Sequence, residues 1–139
     1  MKQVPFVSVI IPMRNEAGWI QRCLASVQAQ DWPRDAMEIL LVDGMSNDGT
    51  YEAMQAAADA DRRVRLFRNP ALIVPSSLNI AIEAARGEIV ARVDAHTVLA
   101  PDYLRTGVEI LRRTGAWNVG GPMTSLGGGR VGEIGRAHV

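Results

Sequence analysis

Cysteine is nearly absent. Cys23 is the only one in 139 residues, so no internal disulfide can form and no second thiol can help to build a metal site. This usage fits a reducing cytoplasm, and Cys23 itself reads as a small buried apolar residue. Excess charge is absent too: fifteen Lys plus Arg balance fifteen Asp plus Glu, and Lys2 is the only lysine. A neutral chain has no global electrostatic handle for DNA or an acidic membrane, which argues against nucleic acid as a partner. Long apolar runs are missing. The hydrophobic stretch after Lys2 is broken by Arg14, Asn15 and Glu16 before it reaches signal-peptide length, and nothing later is long enough to span a membrane. Glycine-rich phosphate loops are missing as well. No G-x-G-x-x-G follows the first apolar run, which removes dinucleotide binding, and no Gly-Lys-Ser/Thr occurs, which removes a P-loop.

What remains is an ordinary globular composition, 47% hydrophobic and 22% charged, long enough to bury one core. Strand and helix signals alternate. Val7 to Ile11 reads as a buried central strand closed by Pro12. From Glu16 to Gln30 the residues Ile20, Cys23, Leu24 and Val27 repeat at helical spacing, and Trp32-Pro33 ends that helix. Glu38 to Val42 is a second strand, followed by a turn-rich loop and a helix from about Tyr51 to Ala60. Val64 to Phe67 makes a third strand. Pro75 to Ala85 fits a helix with Gly87 past its end. Ile89 to Val93 is a fourth strand, Pro101 to Arg113 a further helix, and Ala116 to Val119 a candidate fifth strand. This alternation implies βαβ crossovers and a mostly parallel sheet with helices on both faces, the α/β class. Residues 1–123 are expected to form one domain, and the Gly-rich stretch 124–139 a flexible tail.

In an open parallel sheet, ligands bind beyond the carboxyl ends of the strands. Three polar clusters fall at such ends: Pro12 to Glu16, Asp43 to Thr50, and Asp94-Ala95-His96. Asp43 directly follows an apolar strand, so it could accept a hydrogen bond from a base imide or a ribose hydroxyl, or simply cap a turn. Asp48-Gly49-Thr50 has turn and cap chemistry. Asn15 and Glu16 suit either a helix cap or a ligand contact. Asp94 and His96, one residue apart, could hold a divalent cation together with diphosphate oxygens, and an oxygen-plus-nitrogen set suits Mn²⁺ better than Ca²⁺. The alternative is a turn-capping Asp94 beside an exposed His96.

Taken together, V-S-V-I-I-P-M-R-N-E from Val7 to Glu16, I-L-L-V-D-G-M-S-N-D-G-T at 39–50 and G-E-I-V-A-R-V-D-A-H at 87–96 resemble the three opening motifs of family 2 glycosyltransferases, in the succinoglycan-biosynthesis flavour. The resemblance runs from about Phe6 to Met123. It implies a GT-A fold that binds a UDP-sugar with Mg²⁺ or Mn²⁺ and passes the sugar, with inversion, to a saccharide or polyprenyl-linked acceptor in cell-surface polysaccharide synthesis. Pro12 and Glu16 would line the uridine pocket, Asp43 would contact the uracil, and Asp94 would be the metal and diphosphate residue. His96 takes the second acidic position of the usual motif, where a neutral imidazole offers less charge compensation. Ser77-Leu78-Asn79 stands where relatives carry Ala-Arg-Asn, leaving Asn79 to reach the donor. Relatives supply the general base from a later segment. The only carboxylate after Glu109 is Glu133, which lacks a strand-end context and is not assigned. The expectation is therefore a shortened, donor-binding part of such an enzyme. It would sit in the cytoplasm or at the inner face of the cytoplasmic membrane, with an exposed sheet edge available for self-association.

Two other classes compete. A flavodoxin-like module phosphorylated on Asp43 would need an acidic partner cluster, to which Glu16 could belong, and a late lysine, which the chain lacks. A nucleotidylyltransferase would need a basic Gly-rich loop after the first strand, for which Arg14 alone is a poor substitute.

Overall fold

The computed structural model describes residues 4–71, 74–120 and 137–138. The strands are β1 (Val7–Met13), β2 (Met37–Asp43), β3 (Val64–Arg68), β4 (Ile89–Val93) and β5 (Ala137–His138). The helices are α1 (Ile20–Gln28), α2 (Thr50–Ala60), α3 (Val74–Ala84) and α4 (Tyr103–Thr114). They form one sheet in the order β3-β2-β1-β4-β5. The first four strands are parallel, and β5 pairs antiparallel with β4.

Alternation along the central strands divides the core. Val7, Val9 and Ile11 of β1 and Met37, Ile39 and Leu41 of β2 pack beneath α1, α2 and α4. Ile10, Leu40 and Val42 face the other way, against α3. A parallel strand covered on both faces must be apolar at successive positions, and β1 and β2 are buried throughout. The four helical-spacing residues of α1, Ile20, Cys23, Leu24 and Val27, are all buried. α4 ends at Gly115, whose left-handed φ of 68° lets its N–H reach the Leu111 carbonyl at 2.9 Å.

Several boundaries differ from the sequence expectation, each for a physical reason. Pro12 lies inside β1 rather than closing it. The Met13 carbonyl accepts the Gly44 N–H, so Met13 faces β2 and Pro12 faces the β4 side, where pairing has already ended at Ile10↔Arg92. Its missing N–H therefore costs no ladder bond. α1 starts at Ile20, not Glu16, because the backbone of residues 15–17 is bonded to the loop after β2. It stops at Gln28. Gln30 instead bolts the segment to the entrance of α4, donating to the Ala100 carbonyl at 2.7 Å and accepting the Leu104 N–H at 3.0 Å.

Gly87 is not a left-handed helix cap, since positive φ among the described glycines is confined to Gly49 and Gly115. It is small because a Cβ there would lie 2.6 Å from the Ser8 nitrogen and 2.8 Å from the Phe6 oxygen. Ala116 to Val119 forms no strand. The fifth strand is instead Ala137–His138, which lies inside the stretch expected to be a flexible tail and pairs with Val93 and Arg92. The rest of that stretch, residues 124–136 and 139, lies outside the described residues.

Candidate functional site

Strand order reverses beside β1. The chain steps outward from β1 to β2 to β3, then returns to place β4 on the other side of β1. This is the topological switch point of an open α/β sheet, and the crevice beyond its carboxyl ends is where such sheets bind ligands. The loops after β1, β2 and β4 all leave the sheet at this rim, so the three polar clusters do share one edge.

Two of these loops are stitched together. The Asn15 N–H donates to the Ser46 hydroxyl at 2.9 Å, and the Asn47 N–H donates to the Asn15 side-chain oxygen at 2.9 Å. The Glu16 N–H donates to the Thr50 hydroxyl at 2.9 Å, and the Ala17 N–H to the Asp48 carboxylate at 3.2 Å. Asp48 also accepts the Thr50 N–H and hydroxyl at the start of α2, the turn and cap chemistry its sequence suggests. These bonds hold its carboxylate below the usual range, the Thr50 hydroxyl contributing most. Asn15 is bent into left-handed backbone at φ 53°, as is Met45 at φ 62° on the facing loop. Asn15 and Glu16 do not cap α1; they tie the rim of the crevice.

Glu16 also reaches across the switch point. Its Oε1 lies 3.7 Å from Nδ1 of His96, joining the loop after β1 to the loop after β4. Asp94 is partly exposed, with Oδ1 at 3.7 Å from Nε of Arg92. Beneath it, the Cys23 thiol donates to the Asp94 carbonyl at 3.6 Å. Burial pushes that thiol up to about 12, so Cys23 is the packed, inert residue its sequence context indicates.

Asp43 is fully buried. Its two oxygens share the Ser46 N–H at 3.1 and 3.3 Å, and Oδ2 also accepts Nε of Arg68 at 3.3 Å. The Arg68 guanidinium lies 3.8 Å from the centroid of the Tyr51 ring. Pro12 is buried within β1 beside this group, paired in register with Val42. Asn79 stands exposed on α3, on the opposite face of the sheet from α1, α2 and α4, while Leu78 packs against the core.

The structure therefore gathers Glu16, Asp43, Asp94 and His96 at one rim and leaves Asn79 on a flanking helix. Arg68 and Tyr51 were not anticipated from the sequence. Arg68 is the last residue of β3, in register with Asp43, and that register cannot be read from spacing alone. Asp94 and His96 offer one oxygen and one nitrogen ligand. Among the described residues no three His, Cys, Asp or Glu side chains form a metal-holding group.

A mostly parallel sheet with acidic residues at its switch point, and no glycine loop for phosphate, fits the GT-A class of α/β domain, and the solved structures it resembles are of that class. Within that class the chain belongs to Glycosyl transferase family 2, which it matches over residues 8–133. It is 39% identical to Glycosyltransferase AglE of Haloferax volcanii over 85% of this chain and 39% of that protein. It is 32% identical to Succinoglycan biosynthesis protein ExoA of Rhizobium meliloti over 86% of this chain and 36% of that one. Among solved structures, the mannosyltransferase PcManGT from Pyrobaculum calidifontis, in complex with GDP-Man and Mn²⁺, superposes with a TM-score of 0.74 at 35% identity, over 78% of this chain and 33% of that one. S. aureus TarS 1-349 in complex with UDP shares the fold at a TM-score of 0.77 and 22% identity, over 92% of this chain and 38% of that one. The chain thus spans well under half the length of these relatives.

Proposed function

We propose that this chain is the donor-binding region of an inverting glycosyltransferase that takes a UDP-sugar and a divalent cation, Mn²⁺ or Mg²⁺, at the switch-point crevice. The observation that supports it most is the meeting of the three strand-end clusters at one rim, with Glu16 and His96 bridging the crevice. In this reading Asp43 receives the imide N–H of the base, and Pro12, Asn15 and Glu16 shape the nucleoside pocket. Asn79 approaches the donor from α3. The residues fit a shared metal site: Asp94 and His96 supply one oxygen and one nitrogen, and the diphosphate oxygens supply others. Such an ion would offset the negative charge that gathers on the nucleoside diphosphate as it departs. That PcManGT is in complex with both GDP-Man and Mn²⁺ supports a divalent metal in this reading.

The acceptor in this reading is a saccharide or polyprenyl-linked sugar in cell-surface polysaccharide synthesis, which would put the enzyme in the cytoplasm or at the inner face of the cytoplasmic membrane. No helix among the described residues is long and apolar enough to cross a membrane. No described carboxylate is assigned as the general base, and Glu133 lies outside the described residues. A second copy meeting an exposed sheet edge would give a dimer that light scattering detects; a monomer across a wide concentration range would remove that part of the reading.

Asp94→Ala tests the site. It should weaken Mn²⁺-dependent UDP binding at least about tenfold, since loss of even an outer-shell partner of a metal costs about 10–100-fold, and leave the thermal melt near that of the parent chain. UDP binding that kept its affinity and its metal dependence in Asp94→Ala would overturn the assignment.

A further inference from the structure

The loop that carries Asp94 and His96 runs from the end of β4 to the start of α4, and it is tied along its length to α1 and the residues just past it. The Cys23 thiol donates to the Asp94 carbonyl at 3.6 Å. One turn on, the Ser26 hydroxyl accepts the Leu99 N–H at 3.0 Å. Gln30 then donates to the Ala100 carbonyl and accepts the Leu104 N–H, and the Asp31 N–H donates to the Pro101 carbonyl at 2.8 Å. The same helix opens on Glu16, whose carbonyl accepts the Ile20 N–H at 2.9 Å and whose carboxylate meets His96. We propose that Ser26 and Cys23 are positioning residues for the metal-holding pair: their bonds from α1 keep the loop after β4 in the shape that presents Asp94 and His96 to the cation. This rests on the donor reading above and goes beyond it, since neither residue is among those assigned to touch the donor or its metal.

The loop does not choose this shape for itself. Thr97 Oγ1 is buried with no hydrogen-bond partner among the described residues, and burying a hydroxyl unpaired is unfavourable where a small rotation would turn it to water. The shape is therefore imposed from outside, and α1 is the element bonded to it. Ser26 is suited to impose it. Its hydroxyl donates to the Cys23 carbonyl at 2.7 Å, which fixes the rotamer and leaves a lone pair for the Leu99 N–H. A thiol is the weaker donor, so the Cys23 bond contributes less, while its buried side chain packs beneath Asp94. Loosening either tie lets the loop populate other shapes, and apparent affinity falls with the fraction of chains that keep the competent one.

The test is the Mn²⁺ concentration that half-saturates UDP binding, followed by calorimetry at fixed UDP and by the electron paramagnetic resonance signal of free Mn²⁺. It is measured in the parent chain, Ser26→Ala, Cys23→Ala and Gln28→Ala. Ser26→Ala should raise that concentration about fivefold, the factor carried by one hydrogen bond, and Cys23→Ala should raise it by less. Gln28→Ala is the structural control. It too removes one side-chain bond from α1, the 3.0 Å bond to Asp61, but that bond leads to the end of α2 and not to the loop, so the melt should fall while the Mn²⁺ requirement stays at the parent's. An unchanged Mn²⁺ requirement in Ser26→Ala, or an equal rise in Gln28→Ala, overturns the positioning role while leaving the donor site standing. A parent that binds no UDP with Mn²⁺ removes the donor reading itself, and this inference with it. If Ser26→Ala does not fold, Cys23→Ala decides alone: a raised requirement supports the role and an unchanged one overturns it.

Discussion

Gly87→Ala should be costly for a reason unrelated to helix capping. The added Cβ would stand 2.6 Å from the Ser8 nitrogen, 2.7 Å from the Ser8 hydroxyl and 2.8 Å from the Phe6 oxygen. Two of these atoms belong to backbone leading into or forming β1, the central strand, so the strain cannot be relieved by a side-chain rotation. Overpacking of this kind costs about 1–3 kcal/mol. The shift also disturbs the Gly87 N–H to Ser8 hydroxyl bond of 2.8 Å and the Glu88 N–H to Phe6 carbonyl bond of 2.9 Å, adding about 1 kcal/mol. A total of about 2–4 kcal/mol corresponds to a melting temperature lower by about 10 °C in a domain of this size. Urea unfolding should show a lower midpoint with an unchanged slope. Because Gly87 precedes β4 and Asp94 follows it, UDP affinity measured well below the melt should be unaltered. A melt within about 2 °C of the parent's would refute the close-approach argument, and a normal melt with lost UDP binding would place Gly87 at the site instead.

The other predictions concern Asp61 and Asn15. Hydrogen bonds from Arg63, opposed by burial and joined by Gln28, hold the Asp61 carboxyl down to about 2 from its ordinary 3.8. A depressed folded-state value contributes stability that is fully present above the unfolded value and is lost as pH falls through the folded one. Asp61→Asn should therefore lose about 2 kcal/mol at pH 7, and its urea midpoint should converge with the parent's as pH falls from 4 toward 2; a constant gap across that range would refute the linkage. Asn15→Ala should cost about 1–2 kcal/mol, from left-handed strain and the lost Asn47 N–H bond. Asn15→Gly, which removes only the bond, should cost less, and the reverse order in urea midpoints would contradict the strain argument.

The strands were legible where burial is two-sided, because a short run rich in β-branched residues such as Val7 to Ile11 has few other uses. The ends of elements were less so. Pro12 signals a strand end only if its N–H would have faced a neighbour, and which neighbour it faces depends on sheet order. Gly87 looked like a cap because sequence shows adjacency along the chain, not the approach of Ser8 from 79 residues away. Ala137–His138 has too few residues to carry a period. At the site, Asp43, Asp94 and His96 were visible as polar residues at the ends of apolar runs. Their setting was not. The Asp43–Arg68 pair depends on strand register, the Glu16–His96 contact on β4 lying beside β1, and the loop stitching on backbone N–H groups that every sequence has.

The most direct test of the central claim, a metal-dependent nucleotide site at the switch point, is titration of UDP into this chain with Mn²⁺ and again with a chelator. Saturable binding with Mn²⁺ that disappears with chelator is the predicted result. Absence of binding in both conditions, or binding indifferent to the chelator, would contradict it.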